Sequence, residues 1–112
     1  MGGRGSGGGN SQTRSLDWVG RLQSGNEPGM TVAQEYHQKF DLGRWSANDY
    51  ERARFEGFAS PQAAQAETTA HIRQHGIINP AQTSDGVLDE GFHRYAAMRQ
   101  LGRKTMPIRK TD

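Results

Sequence analysis

Apolar residues recur at helical spacing through the first half of the chain. Val32, Tyr36 and Phe40 lie four residues apart, which is typical of one buried helix face. Ser46 is a favoured N-cap residue and precedes a further run of helical character. These patterns predict a short helix or turn over residues 15–22 and two longer helices over residues 31–40 and 47–55.

The clearest helix pattern begins at Ser60-Pro61 and ends before Gly76. Proline is common at the first helical position, and glycine is common just beyond the last. Ile77 and Ile78 then indicate the start of a buried strand, in which Pro80 introduces a bend or marks an edge.

The last third of the chain predicts strand, turn, strand, helix and strand. Asp85-Gly86 is a hairpin-type turn, and Val87-Leu88 is a very short strand after it. A helix is predicted over Phe92–Leu101 and a strand over Thr105–Arg109, where Pro107 indicates an edge or a bulge. We therefore expect an α/β (α+β) fold, a small mixed sheet with helices in a single domain.

The composition divides the 112 residues into three parts. Residues 1–14 are rich in Gly and Ser and contain no apolar residue after Met1, so they are predicted to be a flexible tail. Residues 15–57 are predicted to form an N-terminal helical segment that packs on the core. Residues 58–112 are predicted to form that core.

Several classes of protein are excluded by composition. The chain has no cysteine, which excludes disulfides, thiolate metal sites and a cysteine nucleophile. It has neither an apolar run of membrane-spanning length nor a signal-peptide pattern. We therefore expect a soluble cytoplasmic protein with no membrane partner.

Basic residues are concentrated near the C-terminus, although the net charge is only +2. Residues 91–111 contain six basic residues and no acidic one. Two interpretations are open: a face for phosphates, or favourable charge at a helix C-terminus followed by a solvated tail. Under the first, the residues that contact a nucleic-acid backbone are Arg99, Arg103, Lys104 and Arg109.

The start of the last predicted helix breaks a rule of helix electrostatics. Helix N-termini favour acidic side chains; Asp89 and Glu90 obey this rule, whereas His93 and Arg94 do not. A helix N-terminus with an adjacent glycine, here Gly91, and two cationic side chains is suited to a phosphate. The alternative is that His93 and Arg94 pair with nearby carboxylates and only stabilise the turn.

Glu67, His71 and His75 lie on one side of the helix that follows Pro61, at intervals of four residues. This geometry is compatible with a metal site whose ligands include Glu67 and His71. The alternative is a surface pair between Glu67 and His71, with His75 placed favourably at the helix C-terminus.

The motifs between about residues 60 and 109 resemble the ParB/sulfiredoxin superfamily. In that family a helix ends in a Gly-Ile-x-x-Pro box, which Gly76 to Pro80 match. A signature of the Gly-x-His-Arg or Gly-Glu-Arg-Arg type opens the next helix and is similar to the EGFHRY run of residues 90–95. The Leu101-Gly102 helix end and the Pro107-Ile108 strand also resemble the family pattern.

The resemblance implies a small mixed α/β domain whose signature turn binds nucleotide phosphates. Members include CTP-dependent partition proteins, ATP-dependent sulfinic-acid reductases, free-serine kinases and ParB-like nucleases. By this resemblance Gly91, His93 and Arg94 bind the phosphates, and Gly76 and Pro80 form the upstream box. The cofactors that fit are Mg²⁺ with ATP or CTP.

Two residues depart from the family pattern. Phe92 stands where the reductases have their catalytic cysteine and the partition proteins a glutamate, so the chain is not a sulfiredoxin and CTP hydrolysis of that kind is not expected. Glu67 lies in the helix that adds Lys or Ser/Thr to the reductase nucleotide site, and it would repel a phosphate unless a metal intervenes.

Three functional hypotheses follow. The first is a nucleotide-binding or nucleotide-processing domain, a hydrolase or kinase, with Glu67, Glu90 and His93 as catalytic candidates. The second is a DNA-binding or ParB-like nuclease module of a phage or plasmid. The third is a catalytically inactive fold that acts as a protein–protein interaction module or an inhibitor of a host system. Small domains of this family often self-associate, so a homodimer is also considered.

Overall fold

The computed structural model describes residues 11–111. The elements in chain order are β1 (Ser11–Ser15), α1 (Leu16–Gly20), β2 (Gln23–Ser24), α2 (Val32–Tyr36), α3 (Ala47–Phe55), α4 (Pro61–His75), β3 (Ala81–Ser84), β4 (Val87–Glu90), α5 (Phe92–Gln100) and β5 (Thr105–Lys110). A π-helical segment (His37–Asp41) continues α2. The strands form one five-stranded sheet of order β1-β5-β3-β4-β2, so the α/β (α+β) prediction is confirmed.

The sheet is mixed. β5 pairs antiparallel with β1 and parallel with β3, while β4 pairs antiparallel with β3 and parallel with β2. Asp85 and Gly86 join β3 to β4 with φ values of 51° and 80°. Two successive residues with positive φ match the twist of a hairpin, so the predicted turn is confirmed.

The helix starts follow local capping chemistry. Thr31 and Gln34 form a reciprocal capping box at α2, and Ser46 does the same with Asp49 at α3. The hydroxyl of Ser60 caps α4 by accepting the Ala63 N–H. These bonds satisfy backbone donors that the first helical turn leaves free, so the helices begin where the sequence predicts.

The core lies between α5 and the sheet. The buried side of α5 comprises Phe92, Tyr95, Ala96, Ala97 and Met98, and it meets strand residues such as Met106 and Ile108. The segment of residues 15–57 closes this core, because the Tyr36 ring packs edge-on against Tyr95 with 6.1 Å between centroids. None of the helices over residues 11–111 is both long and apolar enough to cross a membrane.

Residues 11–14 were predicted to belong to a flexible tail, and this part of the prediction is wrong. Ser11–Ser15 form the edge strand β1, which pairs with Thr105–Arg109 of β5, whereas the rest of the predicted tail lies outside the described residues. All five β1 residues are exposed, so backbone pairing forms the strand, and apolar patterning could not predict it.

Two strand predictions are wrong. Ile77 and Ile78 do not begin a strand; Ile78 is 69% exposed in the loop after Gly76, and β3 begins only after Pro80. Pro107 is not at an edge, since β5 lies between β1 and β3. Pairing with β3 starts one residue later, so the missing proline N–H removes at most one ladder bond.

Candidate phosphate-binding site

The site is built around the turn from β4 into α5. Gly91 precedes the first residue of α5 with a φ of 126°, and no side chain caps the helix. A Cβ at this position would collide with the Cβ of Ala81 and lie 3.1 Å from its Cα. Only glycine fits both the backbone angle and the close approach of β3, so glycine is required at position 91 for steric reasons.

A polar cavity of about 360 Å³ opens at this helix N-terminus, and we call it the elbow cavity. The turn contributes the two acidic residues that end β4 as well as Gly91, His93 and Arg94. Arg52 of α3 adds a cation that sequence reasoning missed, since nothing local marks it. The lining residues are Asn26, Arg52, Thr68, Asp89, Glu90, Gly91, Phe92, His93 and Arg94.

A second, more apolar cavity of about 520 Å³ adjoins the first, and we call it the apolar cavity. Thr68 and Arg94 line both cavities. Arg94 is half-buried, and its guanidinium forms no hydrogen bond or salt bridge with any other residue of 11–111. The apolar cavity is lined by Glu67, Thr68, Ala70, His71, Ile72, Gln74, Gly76, Ile77, Ile78, Asn79 and Arg94.

His93 is held in one orientation by Gln65, which is 1% exposed. The Gln65 Nε2 donates to the His93 carbonyl oxygen at 2.9 Å, and Gln65 Oε1 lies 2.6 Å from His93 Nδ1. Because Oε1 can only accept, Nδ1 carries the proton, and Nε2 of the neutral ring keeps its lone pair. Sequence reasoning did not identify Gln65 because it lies 28 residues before His93 in the chain.

Burial lowers the pKa of His93 below its ordinary value of 6.5, even though part of the residue surface is exposed. The positive charges of Lys39 and Arg52 lower this pKa further, against opposing contributions from Glu56 and Asp49. The ring is therefore neutral near pH 7. The prediction of two cations at the turn needs correction, because the second cation in the cavity is Arg52 rather than His93.

The acidic candidates occupy different places. Glu90 is exposed at the elbow cavity, and Asp89 beside it accepts a hydrogen bond from the Ser84 hydroxyl. Glu67 and His71 line the apolar cavity instead. Within residues 11–111, no three His, Asp or Glu side chains are grouped so as to hold a metal ion, so the structure brings no third such ligand to Glu67 and His71.

The remaining predicted residues lie away from the turn. Pro80 lines neither cavity, although Gly76 lines the apolar one. Arg99, Arg103 and Lys104 line a separate groove at the other end of α5. Arg109 is apart from both, in β5, where its Nε is buried without a hydrogen-bond partner among the described residues.

A buried cluster of charged residues lies next to the turn. Lys39 is 5% exposed, and its Nζ lies 2.8 Å from a Glu35 oxygen, 3.3 Å from Glu27 and 3.3 Å from Asp49. The same ammonium lies 5.4 Å from the centroid of Phe92, which is itself 4% exposed. The i,i+4 spacing of Glu35 and Lys39 was the only sequence signal, and that spacing usually indicates an exposed pair.

Phe92 is thus a core residue. Its ring centroid is 6.2 Å from that of Phe40, so the segment of residues 15–57 covers the position next to the signature glycine. Phe92 also lines the elbow cavity, although it is only 4% exposed.

Comparison with solved structures identifies one with a similar fold. A structure described as a Pnob8-like ParB-N domain matches with a TM-score of 0.50 and 18% sequence identity, over 91% of this chain. The match covers 29% of that chain, so the present chain spans less than a third of its length. The chain has a ParB/sulfiredoxin-like fold. No family model and no curated protein sequence matches it.

Proposed function

We propose that the chain binds a nucleotide, with the phosphates in the elbow cavity and the base in the apolar cavity. The observation that carries this proposal is the position of Arg94 between the two cavities, without a partner among the described residues. A guanidinium without a protein partner beside a helix N-terminus favours an anion. The adjoining apolar walls suit the flat face of a base.

The phosphate would be held by three kinds of donor. The backbone N–H groups at the start of α5 offer the positive end of the helix dipole. Arg94 and Arg52 provide charge-assisted hydrogen bonds from two different helices. Gly91 allows close approach, since a side chain there has no space.

Of the two roles predicted for His93, catalysis and phosphate binding, this proposal keeps the first. As a neutral ring with a proton on Nδ1, it offers the lone pair of Nε2 as a general base or hydrogen-bond acceptor. Asp89 and Glu90 are suited to Mg²⁺, which binds through one or two carboxylates together with substrate phosphates. Glu67 and His71 would flank the base and take no part in phosphate chemistry.

Binding of ATP, CTP and GTP, each with and without Mg²⁺, would be measured by calorimetry on the wild type and on Arg94→Ala. A ligand that binds only the native state also raises the melting temperature, which gives an independent readout. We expect one nucleotide to bind and its affinity to fall about tenfold to a hundredfold in Arg94→Ala, the range for one lost charge-assisted hydrogen bond.

Arg73→Ala is the matched control, because Arg73 is an exposed arginine of α4 that lines neither cavity. It removes the same charge and should leave nucleotide affinity unchanged. Equal affinity in Arg94→Ala and in the wild type would show that the phosphate site lies elsewhere.

The burial of Phe92 favours a second candidate, a catalytically inactive ParB-like fold that acts as an interaction module. A buried apolar ring supplies no reacting atom at the position next to the signature glycine. Release of inorganic phosphate from bound nucleotide separates the two candidates. Binding without turnover, in the wild type and in His93→Ala alike, would support the interaction module. Turnover that depends on His93 would support an enzyme.

A further inference from the structure

A basic groove of about 660 Å³ lies at the C-terminal end of α5. It is separate from the nucleotide site, because α5 is nine residues long and rises about 1.5 Å per residue. Its four cations come from three parts of the chain: Arg21 follows α1, Arg99 is in α5, and Arg103 and Lys104 precede β5. Asp17 is its single acidic residue. The lining residues are Ser15, Leu16, Asp17, Gly20, Arg21, Ala33, Tyr95, Arg99, Arg103, Lys104 and Thr105.

A smaller cavity of about 250 Å³ lies on the other side of α1 and continues the positive charge. It is lined by Arg14 and Lys110, with Asp85 as its acidic member. The Arg14 guanidinium lies 4.6 Å from the centroid of the Trp18 ring. The two grooves share no lining residue, but β1 and α1 contribute to both: Arg14 and Trp18 line the smaller groove, and Ser15 and Leu16 line the larger. We call the six cations of these grooves the basic track: Arg14, Arg21, Arg99, Arg103, Lys104 and Lys110.

In the larger groove four cations face a single carboxylate, that of Asp17, and none of the salt bridges recorded among residues 11–111 joins Asp17 to any of them. Arg99 is held in place by neutral groups: its guanidinium lies 4.1 Å from the Tyr36 ring centroid and donates to the Tyr95 hydroxyl at 3.3 Å. Its position is therefore fixed without loss of charge.

We propose that the basic track binds the sugar–phosphate backbone of a nucleic acid. The cations extend over two grooves to which β1 and α1 both contribute, which suits a polymer with one charge per nucleotide better than a single small anion. Among the apolar residues that line the two grooves, Leu22 belongs to the core cluster, and Leu16 and Trp18 are partly buried against it. The grooves therefore offer little of the apolar anchorage that a protein partner normally buries. Binding through phosphates alone is independent of base sequence.

The test is fluorescence anisotropy with labelled single-stranded DNA, duplex DNA and RNA of equal length, between about 50 and 200 mM salt. The variant Arg103→Ala/Lys104→Ala removes two exposed cations of the track. The control Arg54→Ala/Arg73→Ala removes two exposed cations on α3 and α4. Circular dichroism establishes that both variants fold.

We expect the wild type and the control to bind with a steep salt dependence. In Arg103→Ala/Lys104→Ala the slope of log K against log salt should fall by roughly 1.4 to 1.8, which is about 0.7 to 0.9 per lost phosphate contact. The charge reversal Arg21→Glu, at another exposed position of the groove, should weaken binding in the same way.

Three results would overturn the proposal. One is the absence of binding to every oligonucleotide at about 50 mM salt, where electrostatic binding is strong. Another is an equal slope for the track variant and its control. The third is binding of a poly-glutamate peptide in preference to nucleic acid, which would assign the track to an acidic protein partner.

Discussion

The side-chain amide of Gln65 makes two contacts with His93. Its Nε2 lies 2.9 Å from the His93 carbonyl oxygen, and its Oε1 lies 2.6 Å from the ring Nδ1. A planar amide that donates to one atom and accepts from another determines both the position of the residue and the tautomer of its ring. Thr69 accepts a further hydrogen bond from the same Gln65 nitrogen. The first turn of α5 is therefore attached to the middle of α4.

Replacement of Gln65 should release this attachment. We expect Gln65→Leu to lower the free energy of unfolding by about 1–3 kcal/mol, because it leaves partners in a partly buried site without their hydrogen bonds. Nitrogen-15 NMR of the ring should show the Nδ1–H tautomer in the wild type and a mixture in the variant. Gln62→Leu, on an exposed position of the same helix, is the control. An unchanged tautomer in Gln65→Leu would contradict the assignment.

The lowered pKa of His93 predicts a loss of stability in mild acid. The folded protein binds a proton at His93 less readily than the unfolded chain, so the unfolded state takes up more protons as the pH falls through about 6.5. The stability contributed by the neutral ring is present above that pH and is lost as the pH drops through the lower folded-state pKa.

The check is the slope of unfolding free energy against pH, from urea titrations between about pH 2.5 and pH 8. In His93→Gln the decrease that begins near pH 6.5 should disappear, while it should persist in the exposed control His75→Gln. A further decrease below about 3.8 should remain in both, because Asp49 has a lowered pKa: burial raises it, but its bonds with Ser46 and the charge of Lys39 outweigh that effect.

Removal of the buried Lys39 charge should be strongly destabilising. Lys39→Met leaves the carboxylate of Glu35, which is 0% exposed, without its cation, and we expect a loss of about 3–5 kcal/mol. Adding Glu35→Gln should recover most of this loss, since the amide oxygen still accepts the Ser24 hydroxyl bond. A double variant as unstable as Lys39→Met alone would mean that packing rather than charge is responsible.

The raised pKa of Lys39 also predicts how the stability of the protein changes at high pH. Burial by itself lowers its pKa, but the hydrogen bond and charge of Glu35, with those of Asp49 and Glu27, outweigh burial and raise it above the ordinary 10.5. The stability it contributes is present below that value and is lost as the pH rises through the folded-state pKa. Wild-type stability should therefore fall in strong alkali, and this dependence should be smaller in the double variant.

Gly91→Ala should be more destabilising than an alanine at another glycine with positive φ. Gly57 has a φ of 94° and open space where a Cβ would lie, so Gly57→Ala measures backbone strain alone, about 1 kcal/mol. Gly91→Ala adds the collision with Ala81 and should lose roughly 2–4 kcal/mol in total. Chemical denaturation of both variants gives the comparison, and equal losses would contradict the close approach of β3.

Local chemistry was predictable where it acts within one turn of chain. The serine and threonine N-caps, the Asp85-Gly86 hairpin and the Gly76 helix end follow from bonds or φ values between near neighbours. The strand at Ile77-Ile78 was mispredicted because apolar residues also line cavities and loops. The edge strand β1 was missed because exposed polar residues can be ordered by backbone pairing alone.

By itself the sequence determined the fold class and the turn that carries the site, because Gly91, the helix start and the Gly76 to Pro80 box depend on local backbone geometry. Only the tertiary structure decided the rest. It brought Gln65 to His93, Arg52 to the cavity of Arg94, and Lys39 next to Phe92. Burial and the charges of Lys39 and Arg52 lower the pKa of His93, so its ring is neutral rather than cationic. These contacts join residues distant in sequence, and pKa depends on burial and on charges that only the packed helices bring together.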